Sequence, residues 1–211
     1  MKIAHDGWVP TVFSGLAAVA VFWISPFIAL FLGLITVGLA WFFRDPKRDI
    51  PSGDVWVSPA DGKVVEIGRT FHPFTGECLK IGIFMSPLNV HINRMPCQGR
   101  VEYLEYAPGR KWMAFAPKAS ELNERMYVGM GTAAGNVLIV QIAGFLARRI
   151  VCRLEKGADL DMGERFGMIK LGSRVDVYIP PCIKPLVCQG QRVKAGETVI
   201  GVYADETAQG T

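Results

Sequence analysis

The sequence predicts a mostly β protein of the α+β class: a β-sandwich or barrel preceded by an N-terminal apolar helical hairpin. Three observations predict it. No charged residue occurs from Gly7 to Phe43. From Val55 onward, short β-branched runs alternate with polar residues and are punctuated by Gly and Pro. The chain then closes on a period-three repeat of Val and Gly, Val187-x-x-Gly190-x-x-Val193-x-x-Gly196-x-x-Val199.

The apolar run is the strongest physical signal. Val12 to Phe43 spans 32 residues, which as one straight helix would reach ~48 Å against a hydrocarbon core of ~30 Å. Ser25-Pro26 interrupts it, and proline breaks a helix while biasing the preceding residue away from helical angles. Two short helices follow, roughly 11–24 and 26–43, paired as a membrane hairpin; each is a little short for a full span, so a re-entrant or tilted pair fits equally. One kinked span is the runner-up. A cleaved signal peptide ending at Ala18-Val19-Ala20 is the bland alternative, but the apolar stretch runs more than twenty residues past it. Trp41, Phe42 and Phe43 form an aromatic belt, with Arg44, Lys47 and Arg48 directly after it. By the positive-inside rule the following domain faces the cytoplasm. The expected organisation is therefore an anchoring hairpin over residues 1–48 and a catalytic β-rich domain over 49–211.

Within that domain the expected strands include Val64–Ile67, the alternation of Leu79, Ile81 and Ile83, Asn136–Ile142 and Arg149–Leu154. Val175, Val177 and Ile179 alternate in the same way, and Val199–Tyr203 ends the series. Pro87–Asn93 and Lys118–Glu124 are weaker helical candidates. The C-terminal Val/Gly repeat gives the domain lipoyl-like features, with Ser58–Ile67 as a matching strand pair. A carrier domain presents a modified lysine beside methionine, and no Met-Lys pair follows Met1-Lys2.

Composition narrows the function classes. A formal charge of +4 suits an anionic membrane surface, and the absence of any Lys/Arg run argues against nucleic acid. The five cysteines are odd in number and form no C-x-x-C pair. They read as buried thiols in a reducing compartment, with no disulfide framework and no metal site.

The candidate chemistry centres on Leu171-Gly172-Ser173. A serine hydroxyl can attack the preceding carbonyl in an N-to-O acyl shift. β-Elimination from the resulting ester then leaves dehydroalanine, which hydrolyses to a pyruvoyl group and ammonia. Glycine at 172 leaves that carbonyl open. A bare Gly-Ser is more often a turn. Asp61 stands in the tight Ser58-Pro59-Ala60-Asp61-Gly62 segment, where an Asx-turn is the ordinary reading. His91 is one of three histidines and lies in an apolar stretch where a structural role is the ordinary reading. Together Asp61, His91 and Ser173 form a nucleophile set, with His91 as base and Asp61 orienting it. Arg148-Arg149 could bind phosphate, although a solvated strand edge is the simpler reading.

Several stretches carry a family resemblance in order. They are Phe42-Phe43-Arg44-Asp45-Pro46, Ser58 to Gly62, Phe84-Met85-Ser86-Pro87 and Val90-His91-Ile92-Asn93-Arg94. Lys118-Ala119-Ser120, Asn123-Glu124-Arg125, Gln141-Ile142-Ala143-Gly144, Ala147-Arg148-Arg149-Ile150, Arg165-Phe166-Gly167 and Leu171 to Asp176 follow. In this combination the chain resembles the short bacterial and archaeal form of the phosphatidylserine decarboxylases. The resemblance implies a proenzyme that cleaves itself between Gly172 and Ser173 into a β chain, 1–172, and an α chain, 173–211. Ser173 would become the pyruvoyl cofactor and form a Schiff base with membrane phosphatidylserine; Asp61 would be the processing aspartate and His91 the active-site histidine. No metal is implied. Long-form members carry a second histidine where this chain has Arg94, which leaves the base for self-cleavage open. Two other readings are a membrane-tethered, non-enzymatic binding module and a pyruvoyl decarboxylase of a soluble amino acid. Oligomeric state is open, a homo-oligomer included.

Overall fold

The computed structural model describes residues 2–109, 123–144, 149–170 and 173–204. The chain divides into two compact units, Met1–Lys47 and Arg48–Thr211.

In the first unit, β1 (Lys2–Ile3) pairs antiparallel with β2 (Arg44–Asp45), bracketing α1 (His5–Val21) and α2 (Pro26–Phe42). The sequence expectation began the first helix near residue 11, and it starts at His5 instead. Pro10 lies within it, and so close to the start that its ring disturbs little more than one upstream turn. Ser25-Pro26 does interrupt the run, and the reason is capping. Pro26 takes the first helical position, where no N–H is needed, and Ser25 Oγ accepts from the Ile28 amide at 3.5 Å. The two helices meet through Thr36 Oγ1, which donates to Ser14 Oγ at 3.0 Å. Each is 17 residues long, and among the described residues no helix is long and apolar enough to cross a membrane.

The second unit is β-rich. Its strands are β3 (Val55–Val57), β4 (Gly62–His72), β5 (Gly76–Met85), β6 (Ile92–Arg94), β7 (Gly99–Ala107), β8 (Arg125–Thr132) and β9 (Gly135–Ala143). They continue with β10 (Arg149–Cys152), β11 (Asp159–Leu160), β12 (Arg165–Lys170), β13 (Ser173–Ile179), β14 (Ile183–Pro185), β15 (Arg192–Val193) and β16 (Val199–Tyr203). One curled antiparallel sheet of eight strands runs β11-β7-β8-β9-β13-β5-β4-β15. Bulges between Val64 and Glu66 and between Val101 and Tyr103 help it curl. Two three-stranded sheets, β10-β12-β6 and β14-β16-β3, accompany it. The core gathers one face of the large sheet, with Ile81, Ile83, Val128, Ile139, Val175 and Val177 all fully buried. Each such side chain contributes about 1.5–3 kcal/mol by leaving water.

Two expectations need correction. Pro87–Asn93 is not a helix. Asn89 Oδ1 accepts from the Ser86 amide (2.9 Å) and hydroxyl (2.8 Å), closing a turn that feeds directly into β6. The cysteines are not all buried: Cys78 and Cys97 are, while Cys182 and Cys188 are exposed. Burial pushes the Cys97 thiol up to about 12, which makes it inert. The other helical candidate, Lys118–Glu124, lies almost wholly outside the described residues.

Candidate active site

β13 is the central strand on which the site is built. It pairs on both edges, with β5 and with β9, so that Ser173 stands opposite Met85 on one side and Ala143 on the other. Strand alternation sends Ser173, Val175 and Val177 to the core face and Arg174, Asp176 and Tyr178 to the other. Ser173 is fully buried, and its hydroxyl donates to the Met85 thioether at 3.3 Å. Thioether sulfur is a weak acceptor, so this contact orients the hydroxyl while engaging it only weakly. Between β12 and β13 the chain passes from a three-stranded sheet into the large one. The residues that join them, Leu171 and Gly172, lie outside the described residues.

Asn93 approaches the same methionine and links it to a third stretch, the Asp61 turn. Asn93 Nδ2 approaches Met85 Sδ at 3.7 Å and the Pro59 carbonyl at 3.5 Å, while Asn93 Oδ1 accepts from Gln141 Nε2 at 2.8 Å. The Pro59 carbonyl also accepts from the Arg94 amide at 3.0 Å. The Asp61 turn, the His91 strand and the head of β13 therefore meet around Met85 and Asn93. Gly167 makes this possible from below: a Cβ there would stand 2.3 Å from the Val151 carbonyl and 3.0 Å from Gln141 Nε2.

His91 is fully buried, and its Nδ1 lies 2.9 Å from the Asn89 carbonyl. A carbonyl can only accept, so in the neutral ring Nδ1 carries the proton and Nε2 bears the lone pair. The backbone carbonyl of His91 accepts from the Ile169 amide at 3.3 Å, which ties the histidine strand to β12.

Asp61 is differently engaged from the expectation. Its two oxygens accept from Arg48 Nη2 at 2.9 and 2.8 Å, and Oδ1 also accepts from the Ala195 amide at 2.8 Å. The expected Asp61–His91 relay is not formed; Asn89 supplies the carbonyl at Nδ1 instead. Arg94, in the position of the absent second histidine, is buried and donates to the Gly163 carbonyl at 2.9 Å.

The opposite face of β13 holds a buried charge network. Arg174 donates to Asp176 and to Glu66, and Lys80 bridges Glu66 (3.1 Å) and Asp176 (3.3 Å). Burial would raise the Glu66 carboxyl, but the Arg174 hydrogen bond and the Lys80 and Arg174 charges hold it below its ordinary 4.5. Burial opposes the Arg174 charge, yet Asp176 and Glu66 outweigh it and push that guanidinium higher still. Gly82 leaves the space this needs, since a Cβ there would lie 2.4 Å from Arg174 Nη2. Arg149 is exposed at the start of β10, and Arg148 lies outside the described residues. Among the described residues no group of three His, Cys, Asp or Glu is placed to hold a metal.

Comparison with known proteins bears on this site. The model of the family described as phosphatidylserine decarboxylase matches residues 36–201. The chain belongs to the phosphatidylserine decarboxylase family. A phosphatidylserine decarboxylase proenzyme of Chlorobium phaeobacteroides is 47% identical over 189 residues, covering 85% of this chain and 89% of its own. That of Pelodictyon phaeoclathratiforme is 44% identical over 192 residues, covering 90% and 91%. That of Chlorobium luteolum is 50% identical over 162 residues, covering 76% of each.

In this member of the phosphatidylserine decarboxylases, sequence reasoning did not assign site roles to Met85, Asn93, Gln141 or Arg48. Gln141 is a polar residue set among apolar neighbours in β9, and Asn93 stands between Ile92 and Arg94 in β6. A polar side chain at a core-facing strand position is a signal that could have found Gln141. Nothing in the spacing pairs Arg48 with Asp61.

Proposed function

We propose that this chain is a phosphatidylserine decarboxylase proenzyme. It cleaves itself between Gly172 and Ser173, and the processed enzyme converts phosphatidylserine to phosphatidylethanolamine and CO2. The observation that carries this reading is Ser173 itself, buried at the head of a doubly paired strand, with Asn93 of the His91 stretch against the same Met85 sulfur and the Pro59 carbonyl of the Asp61 segment against Asn93. After cleavage the β chain covers 1–172 and the α chain 173–211.

The site fits a pyruvoyl group derived from Ser173. Strand pairing to Met85 and Ala143 holds the residue from both edges, so a newly made chain end at 173 stays fixed. The last strand of the upstream chain, β12, belongs to a different sheet, so the two ends are held independently. The pyruvoyl group supplies a carbonyl electron sink for loss of the substrate carboxylate. His91, with Nε2 as its basic nitrogen, takes a proton in processing and returns one to carbon in turnover. Asp61, neutralised by Arg48 and bonded to the Ala195 amide, holds the 58–62 turn against the C-terminal 187–199 segment. Within that segment Arg192–Val193 pairs antiparallel with β4, which supports the lipoyl-like reading of this part of the domain.

The first unit anchors the enzyme as an apolar helical hairpin. Its support is exposed hydrophobic surface: Trp23, Ile24 and Phe27 are 88%, 83% and 84% exposed where the two helices join. Such surface suits a lipid interface. At ~25 Å each, 17-residue helices fall short of a ~30 Å core, which favours a re-entrant or interfacial seat. The positive-inside rule, applied to Arg44 and Lys47, supports a catalytic domain on the cytoplasmic face of the cell membrane. Arg48, with a side chain 6% exposed, contributes to Asp61 rather than to that bias.

The test is Ser173→Ala. The variant is expected to remain one chain and to release no CO2 from phosphatidylserine vesicles, while the unmodified protein is cut into two chains and releases CO2. A cleaved product from the variant would overturn the assignment. Turnover of free serine or phosphoserine without turnover of the lipid would point to a soluble substrate.

A further inference from the structure

We propose that the β-rich domain carries its own docking face for an anionic bilayer. It is built on the opposed cations Lys63 and Arg192 and on exposed Leu88, at the end of the large sheet where Ser173 stands. The inference rests on the reading of a lipid substrate and says which face of this domain meets it.

Strand register puts the cations there. Arg192 pairs with Lys63, Lys63 with Phe84, and Phe84 with Arg174, which makes one row across β15, β4, β5 and β13. Residues in one row point to the same face of a sheet. The adjacent row holds Met85 opposite Ser173. Lys63 therefore lies two strands from Ser173 and one residue along, a backbone separation of about 10 Å. Arg174 in this row is neutralised by Glu66 and Asp176. Lys63 and Arg192 are exposed and make no ion pair among the described residues.

Like charges directly opposite on neighbouring strands repel and destabilise the pair. A second such pair stands close by: exposed Arg149 is opposite Lys170, three residues before Ser173, and three residues span at most about 11 Å. One cation on an edge strand is enough to discourage sheet extension. Opposed cations go beyond that need, and their repulsion falls when an anionic surface covers them.

Leu88 favours a bilayer among anionic partners. It is 75% exposed in the turn closed by Ser86 and Asn89, which begins directly after Met85. An apolar side chain beside cations fits a lipid surface, where it enters the interface while the cations meet the phosphates. Nucleic acid offers such a leucine no apolar layer. Docked this way, the domain turns the Ser173 end of its sheet toward the lipid head groups.

The experiment measures partition of the full-length protein into phosphatidylcholine vesicles with and without phosphatidylglycerol. It compares the unmodified chain, the double variant Lys63→Gln with Arg192→Gln, and Arg69→Gln. Phosphatidylglycerol has no amine and forms no Schiff base, so it reports the surface alone. The quantity read is the ratio of the two partition coefficients, which removes apolar binding common to both vesicles. The double variant is expected to lose about 25-fold in this ratio, about fivefold per cation. Its thermal midpoint is expected to be no lower than that of the unmodified chain, because a repulsion has been removed. Arg69 is exposed on the same strand, six residues from Lys63 and about 20 Å away. That exceeds the Debye length, so Arg69→Gln is expected to change the ratio by less than about twofold. An unmodified chain with no preference for anionic vesicles, a double variant that keeps the preference, or an equal loss per charge from Arg69→Gln would each overturn the docking face. Loss of RNA binding in the double variant with an unchanged ratio would overturn it in favour of nucleic acid. If the double variant does not fold, Lys63→Gln alone decides: a fivefold loss supports the face and an unchanged ratio overturns it. Failure to turn over phosphatidylserine would overturn the decarboxylase reading without altering this ratio, so the two failures are distinguishable.

Discussion

A buried carboxylate needs a compensating charge, and Asp61 has one in Arg48; their side chains are 11% and 6% exposed. Removing the Asp61 charge leaves the buried Arg48 with only the longer, more exposed contact to Glu197 at 3.4 Å. Asp61→Asn is therefore expected to cost about 3–5 kcal/mol of unfolding free energy, read by urea denaturation of the proenzyme. The apolar pair Arg48→Met with Asp61→Leu is expected to recover much of it. A loss below ~1 kcal/mol in the single variant, the range of an exposed pair, would contradict the pairing. Slow processing in Asp61→Asn would thus mix chemistry with stability. At this scale the sequence disclosed residue types better than partners. Ser173, His91 and Asp61 stand out because a hydroxyl after glycine, a histidine in an apolar run and a carboxylate in a tight turn each suggest chemistry. Their hydrogen bonds depend on distances that spacing does not encode. The Asn89 carbonyl at His91, and Arg48 at Asp61 in place of a membrane-side role, became visible only in three dimensions.

At the scale of elements, β13 separates two environments, with Ser173 on its core face and the Arg174 network on the other. Gly82→Ala is expected to displace the Arg174 guanidinium, since the new methyl would lie 2.4 Å from Nη2 and 2.9 Å from Asp176 Oδ1. A lowered thermal midpoint checks this, and an unchanged one would contradict the packing. The network also predicts a pH dependence. The folded-state Glu66 carboxyl lies below its ordinary 4.5. On acidification the unfolded chain takes up that proton first, so Glu66 stabilises the fold above the ordinary value and loses its contribution as pH falls through the folded one. Glu66→Gln is expected to lower the thermal midpoint at pH 7 and to converge with the unmodified protein as pH drops below about 4.5; a constant gap would contradict it. Elements with clean alternation, such as β5 and β13, were legible before the structure. β8 was not, because Gly129 and Gly131 break its apolar pattern. Pro87–Asn93 resembled a helix start because Ser86-Pro87 can cap one, and the Asn89 side chain closes a turn there instead.

At the scale of the whole molecule, the sequence indicated an apolar segment and a β-rich domain. It did not indicate strand order, which depends on pairings such as β13 with β5 across some ninety residues. The strands on either side of the proposed cleavage point, β12 and β13, belong to different sheets, so cleavage there would leave the pairings of each strand in place. The exposed apolar residues where α1 and α2 join predict lipid attachment. Replacing Trp23, Ile24 and Phe27 with Ser is expected to reduce co-sedimentation with anionic vesicles severalfold; undiminished pelleting would show that attachment lies elsewhere. The central claim is self-cleavage at Ser173, and the intact mass of the purified protein under denaturing conditions tests it most directly. The account predicts two chains, the smaller comprising the 39 residues 173–211 (211 − 172) and beginning with pyruvoyl in place of serine. A single chain of full mass, inactive on phosphatidylserine, would contradict it.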